Sequence, residues 1–241
     1  MTDAGAGGRT APIGVRVVDL SIPVGPETQI YPGDPAPAVR RAMTIERDGA
    51  NVLALELGSH TGTHVDAPFH FEAEGERLED VGLDRFVGPA VIADVTGHGD
   101  REPIGWDVLS PYADRIRPGT ILVIRTGWSE RFYGTERYYD HPFLTAAACE
   151  RVLEAGVRTL AIDALNPDET VVDGSEERWD VHHLVLGAGG VIAENLTNLS
   201  AIDFEEPLLC LFPLRLAGDA DGAPCRAIAL DLAGATRPAA P

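Results

Sequence analysis

Eleven residues, His60 to His70 (HTGTHVDAPFH), carry three histidines and an aspartate, and any fold in which they act together must bring them to one point. His60, His64 and Asp66 supply two imidazoles and a carboxylate, a donor set that suits zinc, manganese or iron, and His70 follows within reach of the same centre. A straight strand over residues 60–66 sets its ends roughly 20 Å apart at about 3.3 Å per residue, too far for one ion. A continuous helix stacks His60 on His64 but swings Asp66 to another side, and both Gly62 and Pro68 oppose it. The stretch therefore predicts a tight turn at Gly62, flanked by extended chain, that curls the three ligands around one centre.

The remaining histidines sharpen this reading. Five of the seven lie in two groups, the one above and the pair His182-His183; only His98 and His141 fall outside. Ordinary loop histidines do not concentrate in this way, so metal binding is expected. Neither His-Glu-x-x-His nor the His-x-His of cupin-like barrels is present. Glu194 lies twelve residues after His182, beyond a glycine-rich turn, with enough chain between them to fold back toward a shared site.

The scaffold reads as sheet-rich. Val15 to Ser21, Val39 to Glu46, Asn51 to Leu57, Val87 to Val95, Thr120 to Thr126, Thr159 to Asp163, Val191 to Leu196, Leu208 to Leu214 and Ala227 to Leu232 have the length and β-branched content of strands. Asp48-Gly49 marks a hairpin turn whose second strand runs into the histidine cluster. The segment Glu72 to Asp84 reads as a solvated loop. Thr145 to Ala155 is the clearest helix, capped by Thr145 and ended by Gly156; Asp180 is expected to cap a second over residues 180–186, and Trp106 to Asp114 forms a short one. The aromatic insert from Gly127 to Pro142 is either an active-site wall or an ordered surface loop. These elements predict an α/β fold with a mixed sheet and helices on one side, one domain over residues 14–232 between tails at 1–13 and 233–241.

With 241 residues and a net charge of −19, the chain repels phosphate backbones and anionic surfaces, which excludes nucleic acid and membrane as partners. Cys149, Cys210 and Cys225 are too scattered for a disulfide framework or a zinc knuckle. They read as core thiols in a reducing compartment, and with no signal-like or membrane-length apolar run the expected location is cytoplasmic.

The run HTGTHVDAPFH resembles the His-x-Gly-Thr-His-x-Asp-x-Pro-x-His signature of the metal-dependent cyclase family, which includes bacterial kynurenine formamidases and isatin hydrolases. Tyr31-Pro-Gly-Asp34, Arg125-Thr-Gly-Trp128, His182-His183 with Glu194, Pro213-Leu-Arg-Leu216 and Arg226-Ala227 extend the resemblance over residues 15–232. It implies a β/β/α sandwich, usually a homodimer, that hydrolyses a small-molecule amide: an aryl formamide such as N-formylkynurenine, or a cyclic amide. It implies that His60, His64 and Asp66 bind one metal, that His182 binds a second with Asp66 and Glu194 bridging, and that His70 is the proton donor and acceptor. Zinc is the first expectation; isatin hydrolases of the family use a single manganese, so one or two ions are expected. Tyr31 stands where the formamidases carry a substrate-contacting tryptophan; its ring can still stack, with an added hydroxyl. Asp163, Asn166 and Asp168 at a strand end are candidates to support the ligands. Two further readings are a metal-dependent cyclase or dehydratase of secondary metabolism and a non-catalytic protein that binds metal or a small ligand.

Overall fold

The computed structural model describes residues 9–10, 14–171 and 178–233. Ten strands form one sheet in the order Arg9–Thr10, Arg16–Asp19, Ile228–Asp231, Leu208–Cys210, Val87–Asp94, Ile121–Arg125, Thr159–Ile162, Val191–Glu194, His64–Asp66, Gly222–Pro224. The four strands from Val87–Asp94 to Val191–Glu194 are parallel, and every other pairing is antiparallel. This is the mixed sheet the sequence predicts.

The sheet cannot be flat. Gly222–Pro224 and Ile228–Asp231 are separated by six other strands in the order, roughly 33 Å at about 4.8 Å per spacing. Residues 225–227 join them and reach at most about 14 Å. The sheet therefore curls until its flanks meet, and backbone hydrogen bonds from Leu20 to Ala227 and from Thr197 to Leu20 tie the curl together.

Alternation along the strands then builds two cores. Ile121 and Val123 face the inside of the curl with Val65, Ala161, Val191 and Ala193, whereas Leu122 and Ile124 face outward with Leu160, Ile162 and Ile192. The outer face is covered by the helices Ala146–Glu154 and Asp180–Gly187. Inner sheet, outer sheet face and helices make the single-domain sandwich that was expected.

Several local expectations change. Thr145 does cap its helix, accepting from the Ala148 amide, but Asp180 caps nothing: it is the first helical residue, after Trp179. The insert at 127–142 does not line the pocket, and only part of it, including residues 134–137, is exposed. It folds as the short helix Trp128–Phe132 and a 3-10 turn at Glu136–Asp140, with Trp128 and Tyr138 fully buried in the outer core. Phe132, Tyr133 and Tyr139 pack half-buried against the same core. The hairpin Ala38–Met43/Val52–Glu56 forms its own two-stranded sheet, turned by a helical turn at Ile45–Asp48 rather than a two-residue loop. Leu78 and Val81 anchor the 72–84 segment in the inner core. Arg9–Thr10 pair with the following strand; the other residues of the expected tails, apart from Ala233, lie outside the described residues.

Candidate metal centre

Gly62 adopts a left-handed conformation at φ 67°, as the turn requires, and the chain then enters the strand His64–Asp66. His64 and Asp66 thus sit on a strand of the main sheet, and His60 lies in the turn before it. Val65 points into the curl, so His64 and Asp66 point out, toward the helices. In the antiparallel pairing with Val191–Glu194, Glu194 lies opposite His64 and Ile192 opposite Asp66, which puts the Glu194 carboxylate on the same face. The helix Asp180–Gly187 brings His182 over it. On the other side of the ligand strand Gly222 pairs with Asp66; a Cβ there would sit 2.9 Å from His60 Cε1 and 2.8 Å from the Val65 carbonyl oxygen, so the missing side chain is the space His60 occupies.

Each of the three inward-facing imidazoles is held from behind by an acceptor. His64 Nδ1 is 2.8 Å from the Gly62 carbonyl oxygen, His182 Nδ1 is 2.7 Å from Asp168 Oδ2, and His60 Nε2 is 3.0 Å from Asp221 Oδ2. The opposite nitrogens turn toward carboxylates: His60 Nδ1 lies 2.7 Å from Asp66 Oδ1, His64 Nε2 3.2 Å from Asp66 Oδ1 and 3.4 Å from Glu194 Oε2, and His182 Nε2 3.2 Å from Glu194 Oε1. Carboxylate or carbonyl support of a histidine's far nitrogen is how metal-ligating imidazoles are oriented.

Three polar atoms at the centre, His64 Nε2, Asp66 Oδ2 and Glu194 Oε1, are buried without a hydrogen-bond partner. Such atoms are costly to bury unless something satisfies them. Among the described residues three groups have donor atoms within 4.8 Å of one another: the half-buried His60, His70 and Asp221, and two that share the buried Asp66, namely His60, His64 and Asp66, and Asp66, His182 and Glu194. The chemistry of the two Asp66 groups fits a divalent cation.

Electrostatics point the same way. Burial opposes charging the His60 ring, but the Asp66 carboxylate and the hydrogen bond to Asp221 outweigh it and raise its pKa to about 9. His182, also buried, is raised to about 10 by Asp168 and Glu194, and His64 is raised by Asp66 and Glu194. Asp66 and Glu194, though buried, are held below the ordinary carboxylate range by these histidines. Imidazoles raised beside carboxylates lowered make a centre that favours positive charge, which a divalent cation would supply.

His70 lies at the pocket side of the cluster, next to His60 and Asp221. It lies on a 3-10 turn at Pro68–His70, its ring 3.9 Å from that of His60 and its Nδ1 3.5 Å from Asp221 Oδ2. The pocket above the centre has a volume of about 220 Å³ and is walled by Tyr31, Phe71, Leu165 and Trp179, with Asp34, Asn166 and Asn195 as polar groups. Tyr31 stacks at a tilt against Trp179, ring centroids 5.3 Å apart.

Of the seven residues singled out for the site, His60, His64, His70, His182, Glu194 and Tyr31 line one cavity, and Asp66 lies buried beneath it against His60 and His64. Of the three supporting candidates, Asp168 touches His182, Asn166 accepts from the Asp168 amide and lines the pocket, and Asp163 serves elsewhere, accepting from the Thr126 and Gly127 amides with its carboxyl pushed up to about 6 by burial. His183 points outward and meets Glu72. Asp221, Phe71, Trp179 and Asn195 were not anticipated. Trp179, beside Asp180 and His182, and Asp34, in Tyr31-Pro-Gly-Asp34, carried a signal by position; Asp221 carried none.

A family model described as "Putative cyclase" matches residues 18–169. The chain is 32% identical over 212 residues to the kynurenine formamidase of Bacillus thuringiensis (strain Al Hakam), covering 88% of this chain and 95% of that protein. Among solved structures it resembles isatin hydrolase A from Ralstonia solanacearum at TM-score 0.80 and 25% identity, over 90% of this chain and 92% of that one. It also resembles a potential metal-dependent hydrolase with cyclase activity at TM-score 0.72 and 26% identity, over 90% and 98%.

Proposed function

The chain belongs to the cyclase family, and from that membership we propose that it is a metal-dependent hydrolase of a small amide, either an aryl formamide such as N-formylkynurenine or a cyclic amide. The observation that carries this reading is the convergence of three rear-supported imidazoles on the carboxylates of Asp66 and Glu194, each of which keeps one unpartnered buried oxygen, beside His70 at the pocket side. His60, His64 and Asp66 would hold one divalent ion; His182 and Glu194, sharing Asp66, would hold a second. Zinc is the first choice for this donor set and manganese the second. A divalent ion here supplies Lewis-acid polarisation of the scissile carbonyl and acidifies water from a pKa of 15.7 to about 7.

The chain's own residues do the rest. Tyr31, Phe71 and Trp179 clasp the aryl group of the substrate, and Asn166 and Asn195 offer amide groups to its polar edge. His70 Nδ1 faces Asp221, which leaves Nε2 to take the proton of the attacking water and return it to the departing nitrogen. Asp221 and Asp168 keep the imidazoles aimed. Three free cysteines suit a reducing compartment, and we place the enzyme in the cytoplasm, as a homodimer with a small-molecule substrate and no nucleic acid or membrane partner. No helix among the described residues is long and apolar enough to cross a membrane.

The test combines elemental analysis with a screen of N-formylkynurenine, other formamides and lactams. Chelation should abolish turnover and re-addition of the metal restore it; metal-stripped protein that still cleaves sinks the mechanism, and loaded protein inert on every amide sinks the substrate class. His70→Asn should keep its metal while activity drops by about 10² or more.

A further inference from the structure

The donors around the metal centre differ in their access to solvent. The side chains of His64, Asp66, His182 and Glu194 are at most 7% exposed, whereas those of His60, His70 and Asp221 are 15%, 26% and 38% exposed. An ion entering from solvent therefore meets the second set before the first. That second set is itself spaced as a ligand group. Asp221 Oδ2 is 3.0 Å from His60 Nε2 and 3.5 Å from His70 Nδ1, and the two imidazoles stack with centroids 3.9 Å apart. Two donors on one tetrahedral ion, at bond lengths of about 2.0–2.1 Å, lie roughly 3.3 Å apart. The two separations bracket that value, and two imidazoles with one carboxylate repeat the donor set of His60, His64 and Asp66.

His60 belongs to both groups and turns a different nitrogen to each: Nδ1 toward Asp66 at 2.7 Å, Nε2 toward Asp221 at 3.0 Å. A neutral imidazole keeps a proton on one ring nitrogen and offers a lone pair on the other. His60 can therefore hold an ion on its outer side or on its inner side, but not on both at once. The inner side attracts a cation more strongly, because two buried carboxylates, Asp66 and Glu194, face it there, against the single half-exposed carboxylate of Asp221 outside.

We infer that His60, His70 and Asp221 form an entry site for the divalent cation, and that His60 hands the ion inward by exchanging its outer nitrogen for its inner one. In the exchange the ring gives up the proton on Nδ1 and takes one from water on Nε2, so its charge is unchanged. Once the inner group is filled, Nε2–H donates to Asp221 and His70 is released for proton transfer. Asp221 thus serves first as a ligand and afterwards as the support of His60. The inference rests on the metal-binding reading of the inner group and is independent of the amide chemistry.

Stopped-flow uptake of cobalt(II), a visible stand-in for zinc, by the metal-stripped full chain tests it. With an entry site, the rate at which the inner group fills rises with cobalt concentration and then saturates at the rate of the inward transfer. His70→Asn removes one of the three entry donors and none of the inner ones. It should bind as much cobalt at equilibrium as the wild type, while loading at low cobalt slows by about 10-fold or more. His70→Glu, which returns a carboxylate donor to the position, should regain the saturation. Metal uptake is read throughout, so the part of His70 in turnover does not enter. A wild-type rate that climbs in proportion to cobalt throughout, a rate that His70→Asn leaves unchanged, or a His70→Glu that loads no faster than His70→Asn overturns the entry site and leaves the metal centre standing. Stripped protein that takes up no cobalt overturns both.

Discussion

Asp168 holds His182 twice: Oδ2 accepts from the His182 backbone amide at 3.0 Å and lies 2.7 Å from Nδ1 of its ring, while Oδ1 accepts from the Val181 amide at 2.8 Å. One carboxylate from a distant loop therefore does the capping that Asp180 does not, and aims the imidazole of the helix it caps. Asp168→Ala should lose both. Metal affinity at the His182 position should fall by about 10- to 100-fold, with the thermal midpoint lowered by a cap loss of about 1 kcal/mol. Metal titration and thermal unfolding of the same protein measure the two effects; unchanged affinity would show that His182 keeps its aim without the carboxylate.

Gly222 makes a second, sharper case. Its substitution by Ala puts a Cβ 2.9 Å from His60 Cε1 and 2.8 Å from the Val65 carbonyl, and the backbone on that side cannot give because it is paired in the sheet. His60 must move. Gly222→Ala should therefore release metal from the His60, His64, Asp66 group while far-UV circular dichroism stays that of the wild type. Full metal occupancy in that variant would mean His60 is not needed as a ligand.

What could be seen in the sequence followed from how local the cause was. The turn at Gly62, the gathering of His60, His64 and Asp66 around one point, the helix capped by Thr145 and the interior strands rest on neighbours in the chain, and those expectations hold. Glu194 was legible by its spacing from His182, although its alignment with His64 depends on sheet register, which no spacing shows. Asp221 was illegible because it reaches His60 only after the curl brings Gly222–Pro224 beside His64–Asp66. The insert at 127–142 misled for the opposite reason: aromatic residues mark pockets and cores alike, and only packing shows that Trp128 and Tyr138 belong to the core.

Tyr31 is the substrate residue the sequence nominated, and its ring forms part of the wall with Trp179. An aromatic contact of this kind contributes about 0.5–1.5 kcal/mol. Tyr31→Ala should raise KM for an aryl amide by about 2- to 10-fold with kcat little changed, and Tyr31→Phe should behave almost as the wild type. Steady-state kinetics on one formamide and one lactam check this; a fall in kcat with KM constant would move Tyr31 from binding to the chemistry.

His141 gives the pH dependence of stability a source outside the metal centre. Its ring is fully buried between the Pro142 carbonyl and the Thr170 hydroxyl, and burial lowers its pKa from 6.5 to about 4. The unfolded chain therefore takes up this proton at a higher pH than the folded one. The stability His141 contributes is fully present above pH 6.5 and is lost as pH falls toward 4, by about 3 kcal/mol across the window. Carboxylates of the metal centre also titrate in acid, so the comparison must be with a variant that keeps them. His141→Gln fills much of the same space without taking a proton. Urea unfolding of both proteins at pH 8 and pH 4.5 should show the wild type losing about 2–3 kcal/mol more than the variant. Equal losses would mean that His141 stays uncharged in the unfolded chain as well, or that water reaches the ring in the folded one.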